Sequence, residues 1–191
     1  MSENGISFSQ LSTIDYPLLQ VPSPLRILAI DPALRNTGWA IMQSDGKNVS
    51  ALCYGVIQNP VKLLGSGCLV AIREKLSELI KEHQPTECAL EATIYVQSYR
   101  TAITLGGVRG AVLIAAGEHG LPIYDYAPRE VKQAAVGRGA ADKSQVAFMM
   151  RSILRLKETP PADAADALAV GLAHFQASTG HLSTNQERKR V

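Results

Sequence analysis

The chain has 191 residues, of which 46% are hydrophobic and 19% charged, with a net charge of +2. That length and composition suit one compact domain with tails, and they exclude a mostly disordered chain, a collagen-like or coiled-coil one, and a disulfide scaffold. No apolar run approaches the roughly 18 residues of a membrane span, and the three cysteines, Cys53, Cys68 and Cys88, form no CxxC pair and read as reduced thiols of a cytosolic protein.

Residues 1–24 read as an N-terminal extension without regular structure, because Pro22 and Pro24 stand near its end. They lack a basic start followed by an apolar stretch, so no secretory signal is expected. Leu25–Ile30, a short run of branched apolar residues closed by Asp31-Pro32, predicts a buried strand. Thr37–Met42 and Val49–Ile57 predict two more strands. Ser44-Asp45-Gly46-Lys47 between them is a hairpin signal, since Asp-Gly tolerates positive φ, so the three strands form an antiparallel meander. Over Val61–Gln84, the residues Leu69, Ile72, Leu76 and Ile80 recur every three or four positions and predict a helix. Glu87–Glu91 follows the Pro85 break as a fourth strand. Tyr99–His119 is a second apolar helix carrying Gly106, Gly107 and Gly110, and Leu121–Tyr126 is a fifth strand. Three helical stretches come last, at roughly 128–135, 141–157 and 161–176, before a polar tail over 177–191 that reads as solvated and frayed. The order β-β-β-α-β-α-β-α-α-α describes an α/β fold: a mixed five-stranded sheet with helices on both faces.

Chemistry concentrates at four acids. Asp31 closes the first strand and Glu91 the fourth, so each carboxylate stands where a strand opens onto a crevice. An Asp before Pro is also an ordinary turn former, and Glu91 also suits a surface position; position alone leaves both readings open. Asp163 and Asp166, three apart, share one helical face. One early acid complements a helix dipole. Two acids set among Ala162, Ala164, Ala165 and Ala167 point instead to a closely packed face on which they are the only polar groups. Four carboxylates suit hard divalent cations such as Mg²⁺, which take oxygen ligands. Two such ions clamp the attacking water and the leaving oxygen of a phosphoryl displacement. Without a cation, four like charges repel and raise at least one pKa. The cluster contains neither Cys nor His, which argues against zinc; His174 reads as a core or helix-end histidine. Between Arg129 and Lys157, seven basic residues (Arg129, Lys132, Arg138, Lys143, Arg151, Arg155 and Lys157) face only Glu130 and Asp142. This one segment carries +5 against +2 for the whole chain, the local charge a phosphate backbone needs. The glycines of Val136-Gly137-Arg138-Gly139 let backbone amides approach a phosphate.

Taken together, the strings ILAIDP (27–32), TG (37–38), ALE (89–91), VKQ (131–133) running into GRGAADKSQV (137–146), and ADAADALA (162–169) resemble the RuvC family of Holliday-junction resolvases, collinearly from about Leu25 to His174. The resemblance implies a ribonuclease-H-like fold, with a nuclease domain over residues 25–176. It implies a homodimer that acts on four-way junction DNA, with a branch-migration helicase complex as an expected partner, while the reduced cysteines and the lack of an apolar span give the expectation of a cytoplasmic protein with no membrane attachment. The implied chemistry is Mg²⁺- or Mn²⁺-dependent hydrolysis of two opposed strands, with two ions per site. By matching positions, Asp31, Glu91, Asp163 and Asp166 are the expected metal-binding carboxylates. Lys132 and Lys143 are expected to hold the scissile strand and steady transition-state charge, with Arg129, Arg138 and Tyr95 also on the DNA. The helix after Glu91 is expected at the subunit interface or the junction centre. Three departures stand out: Ala33 where the family usually has Gly, Ile94 with Tyr95 beside it where an aromatic commonly stacks on junction bases, and the extension over 1–24. Competing readings are another ribonuclease-H-like nuclease acting on RNA or transposon ends, and a non-catalytic junction scaffold. An actin-like phosphotransferase needs two large domains, which this chain is too short to form.

Overall fold

The computed structural model describes residues 24–93, 98–137, 142–178 and 190–191. Strands β1 (Leu25–Asp31), β2 (Asn36–Ser44) and β3 (Val49–Gln58) form the antiparallel meander. Strands β4 (Glu87–Glu91) and β5 (Ile123–Tyr126) join in parallel on the other side of β1, giving the order β3-β2-β1-β4-β5. The hairpin signal does what its residues dictate. Gly46 takes φ +90°, and the Asp45 carboxylate accepts from the N–H groups of Lys47 and Asn48 at 2.8 and 2.7 Å.

Helices cover both faces of the sheet. Leu28 and Ile30 of β1 pack beneath α1 (Gly65–His83) and α2 (Tyr99–Glu118). Ile27 and Ala29 pack against α3 (Pro128–Val136), α4 (Lys143–Ile153) and α5 (Ala162–Ser178). A strand buried on both faces needs an unbroken apolar run, which ILAI (27–30) supplies, while Arg26 before it is half-buried and donates to the His83 carbonyl at 2.7 Å.

Helix α5 lies closest to the sheet. A Cβ at Gly38 would run into the backbone carbonyl of Asp163. One at Gly171 would meet the Met42 sulfur, with the Ala29 Cβ 3.2 Å away. The alanines beside the two acids do what their size allows: Ala164, Ala165 and Ala167 are wholly buried.

Element ends differ from the sequence expectation where backbone groups are already taken. Helix α1 begins at Gly65 rather than Val61, because Pro60–Leu63 forms a turn whose carbonyls at Pro60 and Leu63 accept from the Arg35 guanidinium at 2.5 and 3.0 Å. Helix α4 stops at Ile153 rather than near 157. Arg155 adopts φ +53° and the Leu156 N–H donates to the Arg151 carbonyl at 2.9 Å, a left-handed helix stop made without glycine. Strand β5 starts two residues late because Pro122 has no N–H; its carbonyl instead accepts from Cys88. At the chain's end, expected to be solvated, Arg190 bridges antiparallel to Tyr124 and the Val191 N–H donates to Ile123 at 3.0 Å, against the open edge of β5. The extension up to residue 23 and residues 179–189 lie outside the described residues.

Candidate active site

Parallel pairing sets the site. β1 and β4 run side by side with Ile30 opposite Leu90, so their next residues, Asp31 and Glu91, emerge together at the carboxyl edge of the sheet. Parallel sheets bind ligands at that edge. Parity sets the direction: Asp31 continues the series Ile27, Ala29, and Glu91 continues from Ala89, and these residues face α5. The Gly38 contact holds the first turn of α5 against β2, and Asp31 pairs with Gly38 in the register. Asp31, Asp163 and Asp166 are thereby gathered, each offering one carboxylate oxygen, with these oxygens all within 4.8 Å of one another. Glu91 joins through a hydrogen bond to Asp31.

The loop that follows Asp31 is fixed at both ends. The buried Thr37 hydroxyl donates to the Ala33 carbonyl. The Asn59 amide donates to the Leu34 carbonyl at 2.8 Å, and the Asn59 backbone N–H donates to Arg35 at 2.7 Å. Ala33, which departs from the family pattern, therefore serves the turn through its carbonyl rather than its side chain.

Electrostatics follow from burial. Loss of solvent, then the neighbouring Asp31 charge, pushes Glu91 up to about 8. Asp31 is also raised, chiefly by burial, with Asp166 and Asp163 adding to the effect. Positive charge arrives from α4. Its N-cap, Asp142, accepts from the Gln145 N–H at 2.8 Å and so places Lys143 at the first helical position. From there the Lys143 ammonium lies 3.2 Å from Asp166 Oδ2 and 3.7 Å from Asp163 Oδ1. The Asp166 contact raises the Lys143 pKa above its ordinary value. Lys132 on α3 is exposed, and its charge opposes the rise at Glu91. Arg129 is exposed on the first turn of the same helix. Arg138 and Tyr95 lie outside the described residues.

The donor set fits a hard divalent cation. All of its ligand atoms are carboxylate oxygens, and the repulsion among the acids, which adds to burial in raising Asp31 and Glu91, is what a dication removes. Beside the acids opens a cavity of about 310 Å³ lined by Asp31, Pro32, Glu91, Ala92, Thr93, Leu105 and Pro128. Its apolar wall was not read from the sequence. Leu105 sits mid-helix, and Pro128 reads only as a helix starter. Thr37, Gly38 and Asn59 are supports of the same kind, visible only once the strands are paired.

Comparison with known proteins gives concordant matches. The family model described as "Crossover junction endodeoxyribonuclease RuvC" matches residues 27–174. The chain is 52% identical over 167 residues to a protein of that name from Akkermansia muciniphila, covering 87% of this chain and all of that one. It is 45% identical over 149 residues to the one from Halorhodospira halophila, covering 78% and 89%. Among solved structures it resembles Thermus thermophilus RuvC in complex with a Holliday junction substrate, with a TM-score of 0.78 and 31% identity over 87% of this chain and 99% of that one. A yeast mitochondrial Holliday junction resolvase, 16% identical with a TM-score of 0.56, shares the fold.

Proposed function

The chain belongs to the RuvC family of crossover junction endodeoxyribonucleases, and we propose from that premise that Asp31, Glu91, Asp163 and Asp166 hold the divalent cations with which it hydrolyses two opposed strands of a four-way DNA junction. The observation that carries the assignment is the gathering of carboxylates from two strand ends and one helix at a single sheet edge. An all-carboxylate set suits Mg²⁺, with Mn²⁺ able to substitute. When bound, it supplies Lewis-acid charge and an activated water for phosphodiester hydrolysis.

The chain's own groups do the rest. Lys143, already in contact with Asp163 and Asp166, sits where a scissile phosphate must approach and offers an ammonium to its developing charge. Lys132, Arg129 and Arg138 extend that charge along the strand, and Tyr95 offers a ring for stacking. Pro32, Leu105 and Pro128 give the cavity beside the acids an apolar wall against which a substrate can rest.

A homodimer would supply two such sites for two opposed cuts. The exposed stripe on α2 supports it: Tyr99, Ile103 and Ile114 are solvent-facing large apolar residues in helical register with Gly106 and Gly110, where nothing fills the space a side chain would take. A branch-migration helicase complex as partner and a cytoplasmic location belong to the same reading. Among the described residues no helix is long and apolar enough to cross a membrane.

The test compares cleavage of a mobile four-way junction, a linear duplex and an RNA–DNA hybrid, each with Mg²⁺ and with chelator. Symmetric, Mg²⁺-dependent cuts in the junction alone are expected. Asp31→Asn should reduce the rate by at least about a hundredfold, the loss of a few kcal/mol of charge stabilisation, while junction binding survives. Preferred cleavage of the hybrid would favour an RNA-processing nuclease. Binding without nicking would favour a scaffold.

A further inference from the structure

His174 is wholly buried in the sheet-facing side of α5, a position where an apolar residue would be expected. Its Nδ1 lies 2.9 Å from the Tyr126 hydroxyl, and its Nε2 lies 2.7 Å from Glu87 Oε2. The Tyr124 ring meets the imidazole edge-on, with centroids 5.4 Å apart. The contacts therefore reach from α5 to both β4 and β5.

These are the elements that assemble the carboxylates. Helix α5 brings Asp163 and Asp166 in its first turns. His174 follows Asp163 by three helical turns, about 16 Å, on nearly the same face. Strand β4 opens with Glu87 and closes with Glu91. Tyr126 closes β5, and its carbonyl accepts at 2.8 Å from the N–H of Ala92, the residue after Glu91. One side chain thus ties the helix that carries two acids to the strand that carries a third.

Why such a tie is needed follows from the alanines. Where α5 meets the sheet its side chains are small: the Ala167 Cβ lies 3.4 Å from where a Cβ on Gly38 would stand, and Gly171 faces Met42, Ala29 and Ile27, which lets the helix approach closely. Small side chains make shallow ridges, so they set the distance between helix and sheet better than the position along the helix axis. The Tyr126–His174 hydrogen bond is directional and the short approach of Glu87 to Nε2 adds a second polar contact, and a buried polar network of this kind specifies one packing among several.

We propose that His174, together with Glu87 and Tyr126, is a positioning residue for the carboxylate cluster, fixing the axial register of α5 so that Asp163 and Asp166 stand level with Asp31 and Glu91. This rests on the cation-binding reading of those four acids.

The test uses the full chain with His174→Phe, His174→Gln and Tyr126→Phe. Mn²⁺ binding is titrated calorimetrically without DNA, cleavage of a four-way junction is followed against Mn²⁺ concentration, and unfolding temperature is measured alongside. His174→Phe should weaken Mn²⁺ binding about tenfold at temperatures well below its unfolding transition, with the cleavage midpoint moving in step and metal-free junction binding unchanged. His174→Gln, which keeps a donor and an acceptor, should recover part of the affinity. Tyr126→Phe removes a single oxygen, retains the fold and should shift Mn²⁺ binding in the same direction, so it decides the matter if His174→Phe fails to fold. Mn²⁺ affinity within twofold of wild type in Tyr126→Phe and in a folded His174→Phe, with only the unfolding temperature lowered, would overturn the proposal. If Asp31→Asn, run alongside, bound Mn²⁺ as wild type does, the cation-site reading would fail instead.

Discussion

Asp31 and Glu91 are held in opposition to their own ionisation. Burial raises both, Glu91 to about 8 from an ordinary 4.5. A carboxyl whose folded pKa exceeds its unfolded value binds its proton more tightly in the folded state. Its contribution to stability is therefore greatest below pH 4.5, falls as pH rises toward about 8 and then levels off. A dication competes with that proton, so cation affinity rises across the same window. In chelator, the unfolding temperature of wild type should fall relative to that of Glu91→Gln between pH 5 and pH 9, and divalent cation should reverse the loss. A difference that stays flat with pH would remove the electrostatic account. Position alone left Asp31 open as a turn former and Glu91 as a surface acid, and only the strings around them joined them to Asp163 and Asp166, so these four acids were legible as candidates. His174 was not: a histidine inside an apolar helix reads as core, and its partners Glu87 and Tyr126 lie 87 and 48 positions away.

Secondary-structure elements were legible wherever periodicity and punctuation agreed, as in β1 with its Asp31-Pro32 stop and the Asp45-Gly46 hairpin. Their ends were less so, because tertiary hydrogen bonds decide them. Arg35 claims the carbonyls before α1, and the Schellman turn at Arg155 closes α4 without glycine. The close seat of α5 on β2 was foreshadowed only by the alanines; that Gly38 is the residue it sits on appears once β1 and β2 pair. A methyl group there meets backbone, which does not yield as a side-chain tip would. Gly38→Ala should therefore cost about 1–3 kcal/mol of stability, read by chemical denaturation, and should lower cleavage beyond what the lost stability explains, because the strain falls on Asp163. Wild-type activity in a stable Gly38→Ala protein would show that α5 tolerates displacement.

Across the whole molecule, the sheet acts as a frame that brings distant parts of the chain to one edge. Asp31, Asp163 and Asp166 meet, and Glu91 joins them through its hydrogen bond to Asp31, because β1 and β4 are parallel neighbours and α5 packs on them. The order of elements made the fold legible, whereas the strand order that juxtaposes Asp31 and Glu91 follows from long-range pairing that no local pattern encodes. The same frame brings Lys143 of α4 and Lys132 of α3 beside the acids, and leaves the apolar stripe of α2 to solvent. The central claim, that the four acids act as one cation site, is tested most directly by a crystal structure of the protein soaked in Mn²⁺, with the metal located by its anomalous scattering. The account predicts manganese at the carboxyl edge of β1 and β4, ligated by Asp31 together with Glu91, Asp163 and Asp166. Manganese absent from that edge at saturating concentration, or bound elsewhere with the four carboxylates left unligated, would contradict it.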